Sequence, residues 1–416
     1  MEKFFDVCIV GGGASGLAAA VYIKQKKPSV SVAVLERLPR VGKKLITTGN
    51  GRCNLTNSDE SITHFHGDNP YFAEYAILKY NNKELERFFK SIGLPLYYDE
   101  TGRAYPASLQ ASSVVDALRF SCDMLGVDTF VDCMVTDIIF GQSWSALKTE
   151  LGDFSAKSVV FATGLYSGGK KLGCDGYIYK LLKSKGEKCI PVTPAIVQVK
   201  TDTDIVRALK GIKVNAAASL YISSKLVKRA TGEVLFCDYG LSGPPILQIA
   251  REVERKDTEK TISLDLMPES NIDEVVTLLL SLRDVLYYRK LDEYLSGAIN
   301  KRLGQSIIKS AGLKLSDSVN CLQESDIRQI AKVIKSFNFR AVSTTGFENS
   351  QVTAGGLDTC GFDNRTMMSK KYKGVYAVGE LLDIDGDCGG YNLHFAFSSA
   401  FCAAESILEG IENGKD

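Results

Sequence analysis

The sequence predicts an α/β protein with a parallel-sheet domain built from both ends of the chain, and three stretches support this prediction. The first is a short apolar strand, a glycine turn and a helix at residues 6–23. The second is a buried strand with its turn at residues 158–164, and the third is a strand, a loop and a helix at residues 375–408. Between the second and third stretches the pattern changes to short alternating strands and then to amphipathic helices, which indicates inserted domains.

The glycine turn has the residues of a dinucleotide site. It consists of Gly11, Gly12, Gly13, Ala14, Ser15 and Gly16. The β-branched run 6–10 precedes it and the run 17–23, rich in helix formers, follows it. Gly11 allows the tight turn, Gly13 lets backbone approach a pyrophosphate, and Gly16 lets the helix pack close to the strand. The helix N-terminus then offers unpaired N–H groups and a partial positive charge to phosphates.

Glu36 ends the second predicted strand, residues 30–35, and lies 20 residues beyond Gly16. A ribose-binding carboxylate belongs at this spacing. The alternative is a surface Glu at a strand end with a glycine turn that only connects two elements. Glu36 favours a ribose with free hydroxyls over a 2′-phosphate, so the turn predicts FAD or NAD rather than NADP.

Composition excludes several classes of protein. The 416 residues allow two or three domains, and the 50 basic against 49 acidic side chains give no global field for nucleic acid or an anionic membrane. No apolar run reaches the length of a bilayer span, and the first strand starts too close to Met1 for a signal peptide. The eleven cysteines form no CxxC pair or zinc-like cluster, so we expect reduced thiols, a cytoplasmic location and no metal site.

A long polar loop follows Glu36 and reaches residue 57. Loops of this length are usually functional or disordered, and the Gly, Asn, Thr and Arg residues here supply donors for phosphate or for a flavin ring edge. Cys53 could be a nucleophile, but no base lies near it in the sequence, which favours a packing role or one beside the flavin. The loop residues predicted to contact the cofactor are Arg37, Lys43, Lys44, Gly49, Asn50, Gly51, Arg52, Cys53 and Asn54.

From Gly42 to Asn57 this loop resembles the signature loop of the BaiN-like (YhiN-like) family of FAD-dependent oxidoreductases. The resemblance implies an FAD domain of the glutathione-reductase type. Glu36 and Gly42 keep the acid-then-glycine pattern of the wider class, while Lys43 stands where a second glycine is common. The stretch 165–174 departs from the family pattern, so the resemblance specifies the identity of the cofactor better than that of the substrate.

The next part of the chain predicts helices at residues 70–92 and 111–125, separated by a hairpin at residues 96–106. Antiparallel strands follow, and by the resemblance Val135 lies where backbone would contact the adenine. The buried strand then ends in Thr163-Gly164, which resembles a second FAD fingerprint. His64 and His66 alternate on an extended stretch, which favours a solvated loop over a metal pair.

Two inserted parts are expected between the halves of the FAD domain. Short alternating strands predict a small, barrel-like β-domain, and apolar stripes at helical spacing predict a helical subdomain. Residues 240–244 match the family's Gly-Leu-Ser-Gly-Pro motif, which is either a structural hinge or a turn over the flavin. The helical part is basic, but interleaved acids indicate a solvated face rather than a nucleic-acid patch.

The last part of the chain carries the most specific resemblance. A strand at residues 375–378 is followed by a loop rich in glycine and acid and then by a helix whose N-terminus can stabilise the negative charge of a reduced flavin. By the resemblance, FAD contacts are expected from Gly379, Glu380, Asp383, Gly389, Gly390, Asn392 and Leu393.

We therefore expect a Rossmann-like FAD-binding domain at residues 1–189 and 339–416, with an inserted β-barrel-like domain at 190–268 and a helical subdomain at 269–338. The expected function is an FAD-dependent oxidoreductase that uses NADH or NADPH to reduce the conjugated C=C bond of a hydrophobic, steroid-like enone. Tyr391 and His394 are the candidate proton donors, although both could be packing residues. The alternatives are an amine oxidase that uses dioxygen and a flavin-dependent RNA-modifying or RNA-binding protein. The oligomeric state stays open.

Overall fold

The computed structural model of the chain describes residues 2–254 and 258–414. Six residues of the predicted domain segments lie outside the described residues: Met1, 255–257 and 415–416. Contacts divide the chain into two units, one formed by residues up to Pro194 and from Gln351 onward, the other by Ala195–Ser350.

The first unit begins with alternating strands and helices, because apolar β-branched runs alternate here with runs of helix formers. In chain order its elements are β1 (Lys3–Val10), α1 (Ala14–Lys26), β2 (Val32–Leu35), β3 (Thr56–Asn57), β4 (Phe65–His66), α2 (Glu74–Lys79), α3 (Asn82–Ser91), β5 (Leu96–Tyr98), β6 (Arg103–Pro106), α4 (Ala111–Met124), β7 (Asp128–Phe130), β8 (Val135–Ile139), β9 (Ser145–Thr149), β10 (Gly152–Phe161), α5 (Tyr177–Ser184) and β11 (Cys189–Ala195).

The second unit is a barrel with helices. Its elements are β12 (Val199–Thr201), α6 (Thr203–Ala208), β13 (Lys213–Ile222), β14 (Lys225–Cys237), β15 (Gly240–Ser242), α7 (Pro244–Ile249), β16 (Lys260–Asp265), α8 (Ile272–Leu286), α9 (Leu291–Tyr294), α10 (Lys301–Ser310), α11 (Glu324–Lys335) and β17 (Phe337–Thr344). The strands close an antiparallel barrel in the order β12-β15-β14-β13-β16-β17. The Gly-Leu-Ser-Gly-Pro motif forms β15 and the first turn of α7.

The chain then returns to the first unit through β18 (Val352–Leu357), β19 (Val375–Ala377), β20 (Asp385–Gly386) and α12 (Tyr391–Glu412). Strands β7, β2, β1, β10 and β19 are parallel neighbours in this order, and β9 and β8 extend the sheet from β10 as antiparallel strands. Helices α1 and α12 pack against each other. The predicted α/β class, with a parallel sheet built from both chain ends and an inserted barrel and helices, is confirmed.

Two predicted helices have different limits in the structure. The helix expected over residues 70–92 is interrupted, because Asn81 caps α3 by accepting the backbone N–H groups of Lys83 and Glu84. The last helix, expected to end at residue 408, runs from Tyr391 to Glu412. Among the described residues, no helix is both long and apolar enough to cross a membrane.

Candidate functional site

The site lies at the carboxyl ends of β1, β2, β10 and β19, where parallel strands of an open sheet present their loops. The glycine turn follows β1 and meets the end of β10. Gly11 has φ +108°, and a Cβ there would lie 2.6 Å from the carbonyl oxygen of Ala162, so the turn requires glycine. Thr163 and Gly164 follow Ala162 directly, which brings the two predicted fingerprints together.

The N-terminus of α1 is open to a ligand. Gly13 has an ordinary φ of −90°, and a Cβ there would meet only the Ala162 carbonyl oxygen, at 4.0 Å. No side chain among the described residues caps this helix. The first N–H groups of α1, which include those of Ala14 and Ser15, therefore keep their capacity to bind phosphate oxygens.

Glu36 is held in place by backbone groups on both carboxylate oxygens. The N–H of Gly12 donates to Oε2 over 2.8 Å, and the N–H of Leu38 donates to Oε1 over 2.9 Å. Burial raises the pKa of Glu36, and these two hydrogen bonds oppose that shift. Each oxygen keeps a lone pair that can accept a ribose hydroxyl.

Lys44 and Glu380 form the centre of a partly buried network. Lys44 Nζ lies 2.5 Å from Glu380 Oε2 and donates to Ser167 Oγ, whose hydroxyl donates to Glu380 Oε1 over 2.6 Å. The backbone N–H of Thr353 also donates to Glu380 Oε1. Burial lowers the pKa of Lys44, but the Glu380 carboxylate outweighs it and raises that pKa above the ordinary value. Lys43, its half-buried neighbour, makes none of the described contacts of this network.

Strained backbone shapes the polar loop. Gly49, Asn50 and Gly51 are consecutive left-handed residues, and Cys53 has φ +60°. Burial raises the pKa of Cys53 to about 12, so its thiol stays protonated and is a poor nucleophile. Arg52 is exposed and places its guanidinium over the ring of Tyr105.

Asn54 is the residue of this loop that best fits a bound ring. Its Oδ1 is buried and has no hydrogen-bond partner among the described residues. The backbone of Gly390, the N-cap of α12, lies directly beside this oxygen. A buried acceptor beside a helix N-terminus suits a ring that carries both an N–H donor and carbonyl oxygens, as the pyrimidine ring of a flavin does.

Besides the Lys44–Glu380 pair, two contacts fasten the C-terminal segment to the polar loop. Asn57 Nδ2 donates to the carbonyl oxygen of Gly389 over 2.9 Å, and Thr56 Oγ1 lies 2.9 Å from Nδ1 of His394. Gly379 is also held, because its N–H donates to the hydroxyl of Ser399 in α12. The two chain ends therefore form one continuous site.

Other predicted residues turn their polar groups towards the protein. Arg37 pairs with Asp175 at 2.7 Å. Asp383 is buried and accepts the N–H of Asp68, and Asn392 uses its amide to bridge the backbone of Gly386. Val135 is buried at the start of β8, and Leu393 is half-buried in the first turn of α12.

Both candidate proton donors are buried, Tyr391 with 5% and His394 with 1% of its surface exposed, but their pKa values shift in opposite directions. His394 is 1% exposed, its Nε2–H donates to the carbonyl oxygen of Tyr80, and its Nδ1 accepts from Thr56. Burial lowers the pKa of His394 to about 4, so the ring is neutral at physiological pH. Tyr391 is the first residue of α12, and burial raises its pKa to about 12, so its phenol carries a proton.

Sequence reasoning missed a polar cluster beside Tyr391. His64 stacks on the Tyr391 ring and contacts Asp59 and Asp387, and His66 contacts the second oxygen of Asp387. The antiparallel pairing of β4 with β20 brings these residues together from distant parts of the chain. The alternation of His64 and His66 was the sequence signal, but it did not reveal the carboxylates.

Comparison with known proteins identifies relatives over nearly the whole chain. Residues 5–406 match the family described as the HI0933-like protein Rossmann domain. A 3-dehydro-bile acid delta(4,6)-reductase of Clostridium scindens is 31% identical over 96% of this chain and 98% of its own length. A ribosomal RNA dihydrouridine synthase of Haemophilus influenzae is 27% identical over 98% of this chain and 99% of its own.

Among solved structures, a quinol-fumarate reductase matches with a TM-score of 0.52 and 14% identity, over all of this chain and 73% of its own. At that identity the likeness concerns the fold alone. The resemblance of residues 42–57 to the BaiN-like family is confirmed by the family match.

Proposed function

Because the chain belongs to the HI0933-like protein family and is an FAD-dependent oxidoreductase, we propose that it reduces a C=C bond conjugated to a carbonyl group, with NADH or NADPH as hydride source. Bound FAD would supply the hydride transfer, which side chains do not provide. The observation that carries the proposal is the position of Tyr391, a proton-bearing phenol at the N-terminus of α12, next to the loop that holds Asn54.

Such a reduction needs a proton at the α-carbon as well as a hydride at the β-carbon. Tyr391 has a proton to give at working pH, but burial raises its pKa and makes it a weaker acid, so the phenolate that forms needs stabilisation. The ring of His394 is closed off, since both of its nitrogens bond to the protein. We therefore assign the proton to Tyr391 and give His394 the structural task of joining α12 to the polar loop.

Segments from both ends of the chain would hold the two ends of the cofactor. Glu36 would accept the ribose hydroxyls, and the N-terminus of α1 would bind the pyrophosphate. Asn54 and the N-terminus of α12 would bind the pyrimidine edge of the ring. The Lys44–Glu380 pair would fix the loop that lies between these two regions.

The proposed substrate is a hydrophobic, steroid-like enone, since the relative from Clostridium scindens is named for a bile-acid reduction. The test is anaerobic reduction of the purified yellow protein with NADH and with NADPH, followed by reoxidation with a panel of 3-keto-Δ4 steroids. Reoxidation by an enone, with loss of its absorbance, supports the proposal. Reduction by amines instead, with peroxide released in air, would identify an amine oxidase and contradict it.

A second substrate class has the same chemistry. The C5=C6 bond of uracil is conjugated to the C4 carbonyl group, and the Haemophilus influenzae relative is named for making dihydrouridine in ribosomal RNA. In the barrel-containing unit, Tyr287 and Tyr288 are 60% and 67% exposed, and Arg289 lies over the Tyr288 ring. Exposed aromatic and arginine side chains are the groups that stack on unpaired bases.

An experiment with the anaerobically reduced enzyme distinguishes the enone substrate from the RNA substrate. The enzyme is mixed with protein-free ribosomal RNA in one arm and with the enone panel in the other, at low and at moderate salt. Dihydrouridine formation with strong salt dependence assigns the RNA substrate, since phosphate contacts are lost as salt rises. Enone turnover that is insensitive to salt assigns the small molecule.

A further inference from the structure

His64 is held between two carboxylates and against the ring of Tyr391. Its Nε2 lies 2.9 Å from Oδ2 of Asp59, and its Nδ1 lies 3.2 Å from Oδ2 of Asp387. The imidazole and phenol rings stack with 4.3 Å between centroids and 16° between planes. A neutral imidazole has one N–H, so both carboxylates receive a hydrogen bond only when His64 is the imidazolium.

The backbone fixes this arrangement. Strand β4 pairs with β20, with His66 opposite Asp385, and the N–H of Asp387 donates to the carbonyl oxygen of His64 over 2.9 Å. His66 Nε2 lies 3.0 Å from Oδ1 of Asp387, so the carboxylate is shared by two imidazoles. Among the described ring contacts, the imidazole of His64 stacks on Tyr391 and that of His66 does not.

We propose that His64 is a positioning residue for the proton transfer: its charge, held against the Tyr391 ring, stabilises the phenolate that forms when the proton leaves. This inference rests on the proposed reductase function. In the transfer, the O–H bond of Tyr391 breaks, a C–H bond forms at the α-carbon, and the oxygen keeps the electron pair. Bound FAD would supply the hydride, and with it the two electrons of the reduction, at the expense of NADH or NADPH.

The charges around Tyr391 explain why a cation is needed there. Burial disfavours its phenolate, and the carboxylates of Asp59 and Asp387 disfavour it further, whereas Arg103 favours it. Burial also lowers the pKa of His64, but its hydrogen bonds to Asp59 and Asp387 outweigh burial and raise that pKa. His64 therefore keeps its charge to a higher pH than a free histidine does, and the help it gives Tyr391 ends above that pH.

The experiment compares H64Q, which removes the charge, with H64R, which keeps a planar cation at every pH. H66Q is the matched control, because it changes the other imidazole on Asp387 without changing the stack. We expect H64Q to lower the rate of enone reoxidation about tenfold at pH 7, the effect of about one pKa unit. H64R should restore the rate and remove its decline at alkaline pH. H66Q should resemble the wild type.

A second readout needs no substrate. Phenolate absorbance is titrated up to pH 11 in H64R and H64Q, each against the same variant carrying Y391F, with bound FAD as the check on folding. We expect the Tyr391 phenolate to appear at lower pH in H64R than in H64Q. Equal titrations, or an unchanged pH–rate profile in H64Q, would overturn the role of His64. A wild type that reoxidises with no enone refutes the proposed function, while the titration still decides the role of His64.

Discussion

The ammonium of Lys44 lies 2.5 Å from a carboxylate oxygen of Glu380, although the two residues are 336 positions apart in the chain. Lys44 belongs to the polar loop after β2, and Glu380 follows β19 near the C-terminus. Their side chains are 28% and 19% exposed, so the pair is largely shielded from solvent. The contact therefore closes the cofactor domain by joining its first and last segments.

Removing this cation should loosen the site. In K44M, Glu380 loses its counter-charge and, among the described residues, keeps the hydroxyl of Ser167 and the N–H of Thr353 as partners. We expect a loss of about 2 kcal/mol in unfolding free energy and a reduced FAD content, because a shielded carboxylate is left unpaired. Urea unfolding and the ratio of flavin to protein absorbance measure both effects.

K43M is the matched control for stability, because Lys43 is the half-buried neighbour in the same loop and makes none of the described contacts of the network. It should leave the unfolding free energy near the wild-type value. If K43M and K44M lower the unfolding free energy equally, the effect belongs to the loop and not to the ion pair.

The sequence predicted the parts of this site that are local. The glycine turn, Glu36 and the loop before α12 are each recognisable because strand, turn and helix follow one another within a few tens of residues. The partners of Lys44 and His64 were not predictable in this way. Those contacts depend on the pairing of β10 with β19 and of β4 with β20, and no local pattern encodes either pairing.

The role of His394 shows a second limit. Its position at the start of a glycine-preceded helix indicated a group near the flavin. Periodicity did not show which side of α12 faces the core, and that side is set by the packing of α12 on α1 and α2. His394 consequently lies on the covered side, with Thr56 and Tyr80 as partners.

Within the glycine turn, Gly13 and Gly11 should respond differently to replacement by alanine. At Gly13 the backbone is ordinary and the space is open, so G13A should change the stability of the apoprotein by no more than about 0.5 kcal/mol. The added methyl group would occupy the pyrophosphate approach, so we expect the Kd for FAD to rise at least about tenfold. Flavin fluorescence titration and urea unfolding check the two values.

G11A serves as the contrast, since φ is +108° and the methyl group would meet the Ala162 carbonyl oxygen. It should destabilise the fold itself, by about 3 kcal/mol or more. Were G13A to unfold as readily as G11A, the open space at Gly13 would not be a ligand site.

His394 should make the protein sensitive to mild acid. The pKa of His394 in the folded state, about 4, lies below the ordinary histidine value. The contribution of neutral His394 to the free energy of unfolding is therefore complete above about pH 6.5 and is lost as the pH falls towards 4. The full loss amounts to about 3 kcal/mol by the same linkage. Urea unfolding at several pH values should show a shallower acid slope in H394N than in the wild type.

Histidine NMR gives an independent reading, because the chain has only three histidines. The His394 signal should stay at its neutral position down to about pH 5, while the His64 signal should titrate above the ordinary histidine pKa. A His394 signal that titrates near pH 6.5 would show that its ring is not closed off by Thr56 and Tyr80.

Replacing Tyr391 should separate chemistry from cofactor binding. Y391F keeps the ring that stacks on His64 and packs edge-on against Phe65, and removes only the hydroxyl. We expect FAD content and reduction by NADH or NADPH to be unchanged. Reoxidation by the enone should slow by about a hundredfold or more, the usual contribution of a positioned general acid. Stopped-flow absorbance measures the two half-reactions separately, and H394N should keep the fast reoxidation. If H394N shows the slow reoxidation and Y391F does not, the proton comes from the histidine side of α12 and our assignment is wrong.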